Sequence, residues 1–102
     1  MKFLRLLLVV FTIGFSTSSN AITVRGAPSC GNWFEDTTRI ESKHWLNGFL
    51  SGVSVEKGKD ILEVVDADSV FLWMDNYCRS NPLGSVFQGA TKLTKELEKR
   101  IK

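Results

Sequence analysis

Cys30 and Cys78 stand behind an N-terminal segment with the three-part grammar of an export signal, and no other feature constrains the chain as much. The segment opens with Lys2 and Arg5, continues through an apolar run from Leu6 to Phe15, and ends in the small polar stretch Ser19-Asn20-Ala21. This pattern predicts cleavage after Ala21 and delivery to an oxidising compartment, where the two cysteines close as one structural disulfide. The apolar run has ten residues, whereas a spanning helix needs roughly 20. Gly14 also breaks it, so an anchor is the weaker reading and no membrane insertion is expected after cleavage. A lipoprotein needs its cysteine directly after the apolar run, and Cys30 lies well beyond it, behind Ala27-Pro28-Ser29. The mature chain is therefore expected to be soluble.

Removing residues 1–21 from the 102-residue chain leaves 81, enough for one small domain over 22–102. The leader carries two of the 13 basic residues and none of the 11 acidic ones, so the mature chain balances 11 against 11. That neutrality argues against nucleic acid and anionic membrane as partners, because both need a basic face. A domain of this size has little core to set against chain entropy, and a staple helps. Closing a loop of 48 residues disfavours the unfolded chain by about 4 kcal/mol on the loop-entropy model. A redox pair is disfavoured by the missing Cys-x-x-Cys spacing, and a metal site by the lack of further Cys or His ligands. No cofactor is expected.

The periodicity predicts helices and no hairpin. Residues 22–28 read as an extended lead-in. Ser29 caps a short turn that sets Cys30, Trp33 and Phe34 on one side and ends near Thr37. Thr38 and Glu41 have capping-box spacing, opening a helix over about 39–57 with the stripe Leu46, Phe49, Leu50 and Val53 and a stop at Gly58. Gly48 and Gly52, four apart on a neighbouring strip, are expected to let another helix of the domain approach. Ile61 to Val65 is readable as a helical turn or an extended piece. Asp68 is expected to cap a buried central helix carrying Val70, Phe71, Trp73, Met74, Tyr77 and Cys78. Asn81-Pro82 is expected to start the last helix, whose stripe runs Leu83, Val86, Phe87, Ala90, Leu93, Leu97 and Ile101. The expected fold is thus a small all-α domain of about four helices, tied by Cys30 and Cys78.

Chemistry is sparse. His44, the only histidine, falls beside Trp45 and off the main stripe of its helix, and no serine stands in a nucleophile-elbow context. An enzyme is not expected; a small exported enzyme working through His44 or Asp66 is the remote alternative. Glu63, Asp66 and Asp68 cluster closely enough to act as an acid-sensing patch, but their order is not that of a calcium loop, and capping with loop solvation is the plain reading. Trp45, with His44 next to it, is the candidate partner-binding position, since one exposed tryptophan marks an anchoring surface. Near the C-terminus, Glu96 with Arg100 and Glu98 with Lys102 have the spacing of favourable helical pairs, so the basic run there reads as a solvated face.

The run Phe71-Leu72-Trp73-Met74-Asp75-Asn76-Tyr77-Cys78-Arg79-Ser80-Asn81-Pro82-Leu83, preceded by Trp45-Leu46-Asn47-Gly48-Phe49-Leu50-Ser51-Gly52 and by Cys30, resembles small periplasmic proteins of the HdeA-like group. The likeness covers nearly the whole mature chain and consists of scaffold residues. It implies an all-α fold with a Cys30–Cys78 bridge, a periplasmic setting, and protein binding rather than catalysis, with a homodimer among the possible assemblies. In the HdeA branch, acid dissociates a dimer and exposes apolar surface that holds unfolding clients, which implies acid- or envelope-stress chaperoning. A second likeness runs to periplasmic immunity proteins that neutralise cell-wall hydrolases delivered by type VI secretion, and it implies a dedicated effector as partner.

Overall fold

The computed structural model describes residues 22–35 and 37–101. The leader over 1–21 and the Glu98–Lys102 pairing both lie outside the described residues. Four helices are present among those described: α1 (Cys30–Trp33), α2 (Arg39–Lys57), α3 (Ala67–Ser80) and α4 (Val86–Arg100). Together with the Cys30–Cys78 disulfide they make a small all-α domain.

Ser29 begins α1 as expected: its backbone is extended and its hydroxyl accepts from the Asn32 N–H at 3.0 Å. The helix is one turn long and buries Cys30 and Trp33, while Phe34 stays on the surface under the Arg79 guanidinium. The capping box expected at Thr38 and Glu41 is absent. Thr38 sits at φ −115°, ψ 0°, away from the extended geometry that aims a cap side chain at its helix, and its hydroxyl donates instead to the Asn32 carbonyl at 2.9 Å. The residue stitches α1 to α2. At the far end of α2, Gly58 takes φ 61° and the Lys59 N–H reaches back to the Ser54 carbonyl, the left-handed glycine stop expected there.

Residues 61–65 resolve as successive tight turns, with Ile61 wholly buried in the core. The cap of α3 is Asp66, not Asp68. Asp66 has the extended backbone a cap requires and accepts from the Ser69 N–H at 2.7 Å, which leaves Asp68 exposed in the first turn. The last helix also starts later than the proline suggested. Asn81 closes α3, its side-chain amide donating to the Tyr77 carbonyl, while Ser85 and Gln88 form the capping box of α4. Leu83, expected on the apolar stripe, lies in the intervening turn fully exposed.

The centre of the core is also displaced from expectation. In α3 only Val70, Met74 and Cys78 are fully buried, a single line at four-residue spacing, and Leu72 faces solvent. It is α4 that packs against both long helices, burying Val86, Gly89, Ala90, Leu93, Thr94 and Leu97. The close approach comes at Gly89, where a Cβ would stand 2.7 Å from Met74 Sδ and from Tyr77 Cδ1. Gly48 and Gly52, the expected contact points, have no other part of the described chain within 4 Å of a would-be Cβ.

The disulfide, both cysteines at 1% exposure, joins α1 to the last turn of α3 across a Cα–Cα distance of 5.0 Å. Beside it the Cys30 N–H donates to the Gly84 carbonyl and the Val86 N–H to the Pro28 carbonyl, an isolated bridge pairing Ser29 with Ser85. No helix among the described residues is long and apolar enough to cross a membrane.

Candidate functional site

Because α2 turns once per 3.6 residues, Trp45, Phe49 and Val53 fall on one line along it, and Gly48 and Gly52 on the adjacent line. The first line is half-buried; the second is bare backbone. Three hollows follow this strip. The first, about 380 Å³, lies among Val24, Arg25, His44, Trp45, Gly48 and Phe49. The second, about 350 Å³, runs over Gly48, Phe49, Gly52 and Val53 to Glu56 and Lys57. The third, about 200 Å³, adds Thr91, Thr94 and Lys95 of α4. Phe49 lines all three, so together they form one trough with an apolar floor.

The floor is braced from both sides. Trp45 stacks on Phe49 with ring centroids 5.3 Å apart, and Phe49 meets Phe87 edge-on at 5.6 Å. The lead-in passes the Nε1 edge of Trp45. Its indole N–H donates to the Arg25 carbonyl at 3.0 Å, and Gly26, at φ 74°, brings backbone so close that a Cβ would stand 3.5 Å from the ring. Thr91 and Thr94 donate their hydroxyls to the Phe87 and Ala90 carbonyls, both at 2.9 Å, so the α4 wall has little unspent polarity. Lys57 ends the trough in an ion pair with Glu98 of α4, and the hydrogen bond from Lys57 holds the Glu98 carboxyl below its ordinary value of 4.5.

The expected partner-binding residues therefore come together: His44, exposed, and Trp45 line the same hollow. Trp45 itself differs from expectation. It is half-buried and hydrogen-bonded, and its exposed edge is part of a trough, not an isolated projection. Glu63, Asp66 and Asp68 are all exposed along the entry to α3. Asp66 is committed to its cap, and the hydrogen bonds from Ser69 hold its carboxyl below the ordinary 3.8. Among the described residues, no three His, Cys, Asp or Glu side chains are grouped to hold a metal ion.

Two carboxylates hold the other tryptophans: Asp75, which the sequence did not single out, and Glu96, which makes the expected pair with Arg100 at 3.3 Å and this further contact. Trp33, with no exposed surface, donates its indole N–H to Asp75 Oδ1 at 2.6 Å, and Arg39 lies 3.9 Å from the same oxygen. Trp73 donates to Glu96 at 2.9 Å, stacks on Tyr77 at 5.6 Å, and edges a separate hollow of about 240 Å³ between α3 and α4. The signal was present: a buried indole needs an acceptor, and Asp75 falls among the apolar residues Phe71, Met74 and Cys78. Gly89 left no comparable trace. Compared with family models, curated proteins and solved structures, the chain matches none.

Proposed function

We propose that this chain is an exported, non-catalytic protein-binding module of the periplasm, HdeA-like in kind and protective under acid or envelope stress. The observation that carries the reading is the trough along α2, an apolar floor of Trp45, Phe49 and Val53 left uncovered by the rest of the described chain. An apolar strip left facing solvent beside two bare glycines offers a surface that a partner side chain can cover. A disulfide at the centre of the core accords with an oxidising compartment. The stress-protective form gains support from two carboxylates held below their ordinary values, Glu98 by its hydrogen bond from Lys57 across α2 and α4 and Asp66 by its cap to Ser69. Protonating them in acid weakens both ties while the neutral mature chain acquires the full charge of its 11 cations. The test is an acid titration of the oxidised mature protein from neutral to about pH 2, following mass, apolar-dye binding and suppression of a client protein's aggregation. Cooperative loosening with client protection is the expected result; a protein that loosens without protecting anything removes the chaperone form.

One observation favours a second reading, an immunity or inhibitor protein. The trough is already open in the folded, disulfide-closed state, so a dedicated partner needs no acid to reach it. A stable complex with one cell-wall hydrolase at neutral pH is the result that selects this alternative.

A further inference from the structure

Resting on the protein-binding reading and extending it to the partner's chemistry, we infer that the trough along α2 receives an acidic amphipathic helix of a partner protein. Shape is the first argument. From Trp45 to Val53 the floor extends about 12 Å along α2, a little over two helical turns. That matches three apolar side chains at helical i, i+3/i+4, i+7 spacing on a partner. Packed helices lie about 8–10 Å apart depending on the side chains between them, and Gly48 and Gly52 present none, with no other part of the described chain within 4 Å of where a Cβ would stand. A helix axis can therefore come down close beside Phe49.

Charge is the second argument. The mature chain is neutral, yet the trough is lined by Arg25, Lys57 and Lys95 against the single acid Glu56. Lys57 is matched by Glu98. Among the described residues Arg25 and Lys95 pair with no carboxylate, and they belong to the hollows at opposite ends of the floor. Acidic residues flanking an apolar stripe complete both, whereas a basic helix meets repulsion at each end. An anionic bilayer shares the charge, but a membrane surface receives projecting apolar side chains, and here Trp45, Phe49 and Val53 are each half-buried along a short strip.

The test uses the oxidised mature protein, labelled with ¹⁵N, at neutral pH. It is titrated with a Leu/Glu amphipathic peptide of roughly five helical turns, with its Leu/Lys counterpart, and with phosphatidylglycerol vesicles. The acidic peptide is expected to shift the amides of Gly48, Phe49, Gly52 and Lys95, and to bind at least about ten-fold more tightly than the basic one. Gly48→Leu, which fills the trough from an open position on the helix, is expected to weaken that binding by about ten-fold or more, and Lys95→Glu to abolish the preference for acid. Equal affinity for the two peptides, shifts confined to another face, indifference to both substitutions, or a stronger response to vesicles overturns the inference. Protection of a client in acid by a protein that binds neither peptide overturns the acidic helix and leaves protein binding standing; loss of both removes the two together.

Discussion

Trp33 and Asp75 join the shortest helix of the domain to the middle of α3 through one hydrogen bond of 2.6 Å, at a point where the indole has no access to water. The disulfide links the same two elements one turn further on, between Cys30 and Cys78. Removing the acceptor leaves a buried N–H without a partner, and a bond to a charged acceptor is worth about 1.5–3 kcal/mol. We expect Asp75→Ala to lose about that much in urea unfolding at neutral pH and Asp75→Asn, which keeps an acceptor oxygen, to lose less than half of it. Equal losses for the two would show that the carboxylate matters to Arg39 and not to Trp33.

The disulfide closes a 48-residue loop. Cys30→Ser or Cys78→Ser is expected to lower stability by about 3–4 kcal/mol, and reduction of the wild-type protein to lower it equally. A melting midpoint unchanged under oxidising conditions would refute a structural bridge.

Four glycines separate by environment. At Gly48 and Gly52 the helix is regular and no other described residue stands beside a would-be Cβ, so alanine is expected to stabilise by about 0.5–1 kcal/mol at each. At Gly58 the left-handed backbone opposes any Cβ, and at Gly89 the new methyl meets Met74 and Tyr77 at 2.7 Å. Alanine there is expected to cost about 1 kcal/mol at Gly58 and about 1–3 kcal/mol at Gly89. Thermal unfolding of the four single variants checks the order; a stabilised Gly89→Ala would contradict the packing of α3 on α4.

The acid response has a definite sign. Lys57 depresses the Glu98 pKa in the folded state, and Ser69 depresses that of Asp66. Each therefore contributes stability that is present above the unfolded values of 4.5 and 3.8 and is lost as pH falls through the lower folded ones. Stability is expected to be flat in this respect down to about pH 4.5 and to fall below it. Lys57→Gln should remove the part due to Glu98, and Asp66→Asn, which still caps, the part due to Asp66. Urea midpoints measured from neutral to about pH 2 test this; identical slopes in wild type and both variants would exclude these two carboxylates.

The helices of this domain were legible where the signal is local. The cap at Ser29 and the stop of α2 at Gly58 follow from residues within a turn of each other, whereas α2 begins where expected without the capping box read at Thr38 and Glu41. The errors came where two signals of one kind compete. Asp66 and Asp68 are both good caps, and only the burial of Val70, Met74 and Cys78 on one line selects the first. Asn81-Pro82 and Ser85 both open helices, and the tie of Gly84 and Val86 to the lead-in selects the second. The glycines show the limit most clearly. Periodicity reports that Gly48 and Gly52 share a strip, but whether the strip faces Met74, as Gly89 does, or solvent depends on pairings between distant segments. Trp45 and His44 were found as neighbours in sequence; the trough they edge needs Thr91 and Lys95, which lie far along the chain.

The bridge between Ser29 and Ser85 makes the fold depend on segments far apart in the chain. Pro28, Cys30 and Trp33 have their partners at Val86, Cys78 and Asp75, and α4, which packs against both α2 and α3, is the last of the described helices in chain order. A fragment cut before α4 keeps the cysteines but lacks the wall on which α2 and α3 rest, so the domain stands or falls as one cooperative unit.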